Sequence, residues 1–255
     1  MKYQVLLDAD GLVYQLGFAL EDINNPHTVE KCVHNKVQDI QSHLERIFKD
    51  VTEPKIILSP TGQANFRFKL ATIKPYKGNR VQPKPKHYEL IREIFSSYPS
   101  FQMADKEEAD DLLADIAARD PEHTIIVSGD KDLRQVPGWH YEPLDKRPIY
   151  YVDKDQDGVV FLEKTPGNKT QVFATGNNWL LIQMLLGDPV DNIPGIPGYG
   201  PVKIYKLYTS LKDQPFETAV RAIYLNHYGV KDFEKSLNEV RALLKIGGHD
   251  NEHLG

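Results

Sequence analysis

The segment Glu107-Glu108-Ala109-Asp110-Asp111-Leu112-Leu113-Ala114-Asp115 carries five acidic residues in nine positions. Read at helical spacing, it places Leu112, Leu113, Ile116 and Ala117 on an apolar stripe. The same spacing sets Glu107 and Glu108 one turn from Asp111. Acids at a helix N-terminus gain about 0.3–1 kcal/mol each from the dipole, so this stretch alone has a purely structural reading. Its company changes that reading. The pairs Asp8/Asp10, Asp130/Asp132 and Asp188/Asp191 each stand at a strand end or in a loop. Nine carboxylates (Asp8, Asp10, Glu108, Asp110, Asp111, Asp130, Asp132, Asp188 and Asp191) that converged would repel one another unless cations held them. An oxygen-only set selects Mg²⁺ or Mn²⁺ over Zn²⁺, and the nine histidines are scattered without the spacing of a zinc site. Two such cations about 3.5–4 Å apart could straddle a phosphate, one activating water and one stabilising the leaving oxygen.

The elements that must carry these acids can be read from the pattern. Tyr3-Gln4-Val5-Leu6-Leu7 is a β-type run that ends in Asp8-Ala9-Asp10-Gly11. Lys55-Ile56-Ile57-Leu58-Ser59 is a second strand, and Thr124-Ile125-Ile126-Val127-Ser128 a third that delivers Asp130 and Asp132. Helical patterns run from about Thr28 to Phe48, from about Lys86 to Ser97 and from Asn177 to Leu186. Alternation of strand and helix predicts a three-layer α/β fold around a mostly parallel sheet, with acids at the carboxyl ends of its strands. From Trp139 to Phe173 the pattern changes to short strands, one or two hairpins at a sheet edge. Asp153-Lys154-Asp155-Gln156-Asp157-Gly158 imitates the start of an EF-hand loop, but the twelfth position is Lys164, so it reads as a turn. Beyond Asn192 the chain reads as helical to about Ile246, followed by a frayed tail, 247–255.

The chain has 255 residues, enough for one large or two small domains. No apolar run spans a membrane, and the N-terminus enters a strand without a signal stretch. With Cys32 as its single cysteine, an internal disulfide is excluded and a reducing cytoplasm fits. The net charge of −5 argues weakly against nucleic acid, but its distribution argues the other way. Between Thr61 and Arg92 lie Arg67, Lys69, Lys74, Lys77, Arg80, Lys84, Lys86 and Arg92 against Glu89 alone. A basic segment beside an acidic centre suits a polyanion held against cations. If helical, the segment puts Lys77 and Arg80 on one face, where a cation near a scissile phosphate stabilises the transition state. Tyr76 and Phe66 could supply a base-stacking surface. Ile193-Pro194-Gly195-Ile196-Pro197-Gly198-Tyr199-Gly200-Pro201-Val202-Lys203 is a glycine-rich turn before a helix, able to aim backbone N–H groups at duplex phosphates. A rival reading takes Asp8-Ala9-Asp10-Gly11 as the opening of a haloacid-dehalogenase-type phosphatase. Leu12 stands where that family prefers Thr, and Glu108, Asp110 and Asp111 would have no use there.

Taken in order, five motifs resemble the flap-endonuclease superfamily, most closely the bacteriophage 5′-to-3′ exonucleases. They are Asp8-Ala9-Asp10, Tyr76-Lys77-Gly78-Asn79-Arg80, Glu108-Ala109-Asp110-Asp111, Ser128-Gly129-Asp130-Lys131-Asp132, and Gly187-Asp188 through Asp191-Asn192-Ile193-Pro194-Gly195. The resemblance spans roughly residues 3 to 210 and implies a PIN-like nuclease domain over 1–186 with a helical arch at about 61–97. It further implies a helix-hairpin-helix region over 187–246. By the family pattern Asp8, Glu108, Asp110 and Asp130 are inner metal ligands, with Asp10 and Asp111 close by. Asp132, Asp188 and Asp191 match the second metal site, and Lys77 and Arg80 the arch cations on the scissile phosphate. Arg67, Lys69, Lys74, Tyr76, Lys84, Lys86, Gly195, Gly198, Gly200 and Lys203 are the expected DNA contacts. In relatives the hairpin binds phosphates through a monovalent cation, here K⁺. The implied protein is a cytoplasmic, monomeric, Mg²⁺- or Mn²⁺-dependent hydrolase of DNA with a 5′ end, flap or nick, and of RNA in RNA–DNA hybrids. One departure stands out: many relatives carry an Asp at the end of strand two, where this chain has Leu58-Ser59-Pro60-Thr61. That gap gives the alternative of a structure-specific DNA-binding protein with a decayed metal site.

Overall fold

Val5, Leu6 and Leu7 have no exposed surface, because β1 (Gln4–Asp8) is flanked by strands on both sides and covered by helices on both faces. The computed structural model describes residues 2–62, 65–79, 83–143, 147–165, 167–212 and 214–248. With β2 (Lys55–Leu58), β3 (Gln102–Met103), β4 (Thr124–Val127), β5 (Gly138–Tyr141) and β6 (Tyr150–Val152), β1 forms a sheet in the order β3-β2-β1-β4-β5-β6. All pairs are parallel except β5 with β6 at the edge. The chain leaves β1 for β2 on one side and returns to β4 on the other. The carboxyl ends of β1 and β4 therefore border a topological switch point, where α/β sheets open a crevice. Asp8 and Asp130 stand there.

The expected three-layer sandwich is present. On one face α1 (Asp10–Ala19), α2 (Pro26–Glu45) and α4 (Tyr88–Ser96) cover a core that includes Val13, Val33, Ile40 and Ile91. On the other α5 (Ala109–Ala117) packs Leu113 and Ala117 on Leu6, Ile57 and Ile126. α2 starts two residues before the expected Thr28, since the Asn25 side chain accepts from the His27 N–H and Pro26 fits the first helical turn. α1 and β3 are additions to the sequence reading. The Trp139–Phe173 stretch divides into the β5/β6 edge pair and a separate antiparallel hairpin, β7 (Val160–Lys164) with β8 (Thr170–Ala174). Asp153 to Gly158 is a turn in which Asp153 accepts from the Asp155 N–H.

The 61–97 region contains, among its described residues, one helical turn, α3 (Arg67–Leu70), before α4. Lys77 has φ +55° and lies in a turn, which corrects the expectation that it shares a helical face with residue 80. α6 (Gly176–Leu186) is almost wholly buried and packs on α7 (Pro201–Ser210) and α8 (Phe216–Leu244). α8 breaks at Gly229, φ +74° and ψ 166°, where a continuous helix is expected. Between α6 and α7 a two-residue ladder pairs β9 (Gly187–Asp188) with β10 (Ile193–Pro194). A Cβ on Gly187 would lie 2.3 Å from the Gly195 nitrogen, and one on Gly195 2.2 Å from the Leu186 carbonyl oxygen. Both glycines are thus required by backbone-on-backbone packing. Of the tail, Gly247 and Gly248 donate their N–H groups to Asp111 and Asp115 on α5, and 249–255 lie outside the described residues.

His140 on β5 is buried, stacks on Tyr150 at 5.2 Å and pairs with the Val136 carbonyl at 2.8 Å. Burial lowers its pKa from 6.5 to about 4. A lowered histidine favours the fold above the unfolded value and loses that contribution as pH falls to 4. Relative to His140→Gln, the wild-type chain loses about 3 kcal/mol of unfolding free energy between pH 7 and pH 4. Denaturant titrations of both chains at several pH values check this, and a pH-independent difference between them refutes it.

Candidate metal centre

Eight of the nine predicted acids line one cleft of about 710 Å³: Asp8, Asp10, Glu108, Asp110, Asp130, Asp132, Asp188 and Asp191. They arrive from four separate stretches, which is why no local pattern could prove the convergence. Asp8 ends β1, and its two oxygens accept from the Asp10 N–H at 3.1 Å and from Ser128 Oγ at 2.7 Å. Asp10 opens α1 and accepts from the Ser59 N–H at 2.9 Å and from Arg92 at 3.1 Å. Arg92 also donates to the Ser59 carbonyl at 2.6 Å, and Ser59 Oγ accepts from the Ala109 N–H at 2.8 Å. Ser59, the residue after β2, thus braces Asp10 and the start of α5 through hydrogen bonds.

Glu108 is the N-cap of α5, and its side chain faces the cleft, where Tyr76 Oη donates to it at 2.9 Å and Lys77 Nζ forms an ion pair with it. Asp130 accepts from the Asp132 N–H at 2.8 Å. Asp132 accepts from Gln183 Nε2 at 2.7 Å and from Lys131 at 2.9 Å. Asp188 accepts from the Val190 N–H at 2.7 Å and from Lys131 at 2.7 Å. The same Tyr76 hydroxyl lies 2.8 Å from Asp191, its single proton shared between Glu108 and Asp191, and the Asp191 carbonyl accepts from the Lys77 N–H at 2.9 Å. Lys131 and Arg92, both in the centre, carry no role in the sequence reading. Lys131 lies inside the Ser128–Asp132 motif, and Arg92 is visible in sequence only as one cation of the basic segment, with no signal for its pairing with Asp10.

The electrostatics match the crowding. Burial, then the neighbouring Asp10, pushes Asp8 up to about 7. Burial and then Asp130 push Asp132 up to about 7. Asp110 is raised by burial and by Asp111 and Glu108, and Asp10 and Asp130 are also raised, by burial first. Asp188 is the exception: burial opposes ionisation, but Lys131 and two backbone N–H groups hold it below the usual range. Acids raised in this way stabilise the fold below their unfolded values and lose that contribution as pH rises through 7. Ionising the cleft therefore calls for cations. Among the described residues no three His, Cys, Asp or Glu side chains are grouped tightly enough to hold an ion as they stand. Instead the ammonium groups of Lys77 and Lys131 and the guanidinium of Arg92 reach the acids. The all-oxygen donor set and its raised acids fit hard divalent cations, which would take over part of this neutralising role.

Several expectations require correction. Asp111 is fully buried, receives two hydrogen bonds from Arg67 and caps the Glu108 N–H, so it is a structural acid and not a cation ligand. Arg67, expected on DNA, is 1% exposed and donates also to the carbonyls of Leu243 at 3.0 Å and Lys245 at 2.9 Å. The rings of Tyr76 and Phe66 are buried, so neither offers a stacking face; Tyr76 acts through its hydroxyl. Lys86 spends its ammonium on the carbonyls of Glu21 and Ile23 and on Asn24. Lys69, Lys74 and Lys203 are exposed, and Lys84 lines the cleft while pairing with Glu89. Gly198, φ +79°, and Gly200 have open space where a side chain would stand, unlike Gly195. Arg80 lies outside the described residues.

Comparison with known proteins follows the same line. DNA polymerase I of Bacillus caldotenax is 30% identical over 217 residues, covering 81% of this chain and 23% of the polymerase. DNA polymerase I of Bacillus subtilis is 31% identical over 224 residues, 83% of this chain and 24% of the polymerase. The chain thus spans about a quarter of the length of these relatives. A solved structure of T5 5′-exonuclease with bound zinc superposes with a TM-score of 0.57 at 16% identity, covering 96% of this chain and 86% of that one, a likeness of fold. The family model for the 5′-3′ exonuclease N-terminal, resolvase-like domain matches residues 3–160. On that match, across well over half of its length, the chain belongs to the 5′-3′ exonuclease family, with the PIN-like fold of the flap-endonuclease superfamily.

Proposed function

We propose that the chain is a divalent-metal-dependent 5′-to-3′ exonuclease and structure-specific 5′-flap endonuclease that hydrolyses DNA phosphodiesters in replication or recombination. RNA in RNA–DNA hybrids is a second substrate, and the protein acts as a monomer. The observation that carries this reading is the convergence of eight carboxylates from four stretches in one cleft beside Lys77. Asp8, Glu108, Asp110 and Asp130 would hold one Mg²⁺ or Mn²⁺, and Asp132, Asp188 and Asp191 a second. Bound there, the cations would supply an activated water and would stabilise charge on the leaving 3′ oxygen.

The chain's own residues do the rest. Lys77, whose ammonium pairs with Glu108 and stands 3.9 Å from Asp191, places a positive charge where a phosphate entering the cleft would gain negative charge. Arg80 would join it. The open backbone at Gly198 and Gly200, with exposed Lys203 in the first turn of α7, forms a helix-hairpin-helix grip on duplex phosphates, aided by K⁺. A second reading, a DNA-binding protein with a decayed metal site, finds less support, because Ser59 preserves the bracing of the cleft. The deciding experiment is product analysis on a 5′-flap, a nicked duplex, a blunt duplex and an RNA–DNA hybrid, in Mg²⁺ and in EDTA. Short products released from the 5′ side in Mg²⁺ alone are expected; DNA retention without cleavage in any divalent cation sinks the nuclease reading.

A further inference from the structure

Two lysines stand among the acids, and they are held differently. Lys77 is 16% exposed, has its backbone N–H tied to Asp191 and sits in a left-handed turn, so it is fixed in place. Lys131 is 47% exposed, and its Nζ lies 2.9 Å from Asp132 and 2.7 Å from Asp188. It bridges two carboxylates that come from stretches 56 positions apart, counted from 132 to 188.

Neither carboxylate depends on Lys131 for its position. Asp132 is held by Gln183 Nε2 at 2.7 Å. The Gln183 amide is itself oriented, since its oxygen accepts from Gln135 Nε2 at 2.8 Å. Asp188 is fixed through its other oxygen by the N–H groups of Val190 and Asp191, at 2.7 and 3.3 Å. The ammonium therefore adds charge to a pair already in place. A side chain half in solvent can swing out at small cost, and its charge opposes any cation that approaches the same two oxygens.

We propose that Lys131 is a resident counter-cation that a divalent ion must displace to occupy the Asp132/Asp188 side of the cleft, so that it sets the cation concentration at which that side fills. This rests on the nuclease reading above. It predicts a site held closed to weakly bound ions and kept folded without them, the lysine serving both ends.

The test uses the full chain without DNA at pH 7.5, with Mn²⁺ as probe, followed by calorimetry and by the paramagnetic resonance of free Mn²⁺. In Lys131→Met, which keeps the aliphatic stem, the weaker of the Mn²⁺ binding events tightens about tenfold or more. Lys131→Arg, which keeps the charge, behaves as wild type. In EDTA the Lys131→Met chain melts below wild type, and Mn²⁺ raises its midpoint by a larger increment than it raises that of wild type. Unchanged or weaker Mn²⁺ binding in Lys131→Met, in a chain that still melts cooperatively, overturns the proposal while leaving the nuclease reading intact. A wild-type chain that binds no Mn²⁺ at all overturns that reading itself.

Discussion

Asp130→Asn and Asp110→Asn are each expected to abolish cleavage while duplex binding stays equal or tightens. Both side chains line the cleft, and both carboxyls are pushed above the usual range by burial and by neighbouring acids. Asparagine keeps the shape and, at 130, the oxygen that accepts from the Asp132 N–H. What it removes is the negative charge that would hold a cation against the phosphate. Loss of that charge costs several kcal/mol of transition-state stabilisation, a fall of roughly a thousandfold or more in single-turnover rate. The same change relieves repulsion of the phosphate backbone, hence the undiminished affinity. Rapid-quench cleavage and gel-shift titrations, on one flap substrate and in matched salt, give the two numbers. Wild-type turnover in either variant would remove that residue from the centre.

The largest stability effect is expected at Arg67. Replacing it by Met leaves Asp111 buried without its guanidinium and strands the Leu243 and Lys245 carbonyls. Breaking a buried ion pair from one side costs about 3–5 kcal/mol. For a chain of this size that lowers the thermal midpoint by about 10 °C. The Arg67→Met, Asp111→Leu double variant recovers part of the loss, because two apolar side chains replace an unpaired charge. Recovery stays incomplete, since Asp111 also serves the Glu108 and Gly247 N–H groups. A midpoint for Arg67→Met within about 2 °C of wild type contradicts the buried-pair account. The measurement is calorimetric and needs no substrate.

What could be read from the residues was the periodic part. Val5 to Leu7, Ile56 to Leu58 and Ile125 to Val127 are continuous apolar runs, so their strands were legible, and with them the acids that follow β1 and β4. α1 was not, because Asp8-Ala9-Asp10-Gly11 looks like a turn and Ala9 provides no side-chain cap. The bounds of β5 were less sharp than those of β4, because Trp139 and Tyr141 are only half buried and give no uninterrupted apolar run. The acidic stretch showed that Glu108 and Asp111 share a face. It could not show that the helix begins between them, which turns Glu108 outward as N-cap and folds Asp111 back into the capping box. Nor could spacing assign Arg67 to a partner 44 positions away; a basic residue in a basic segment reads as a phosphate contact until its burial is known.

The last turn of α8 has a consequence beyond its own packing. The Leu243 and Lys245 carbonyls hold Arg67, which grips Asp111 at the start of α5, close to Glu108 and Asp110. The Leu244 carbonyl holds Gln135, which orients Gln183 and through it Asp132. Two polar relays thus leave one helix end, one reaching Asp111 beside Glu108 and Asp110 and the other reaching Asp132. Acids from two parts of the cleft are therefore buttressed from a single helix end whose own residues do not line it.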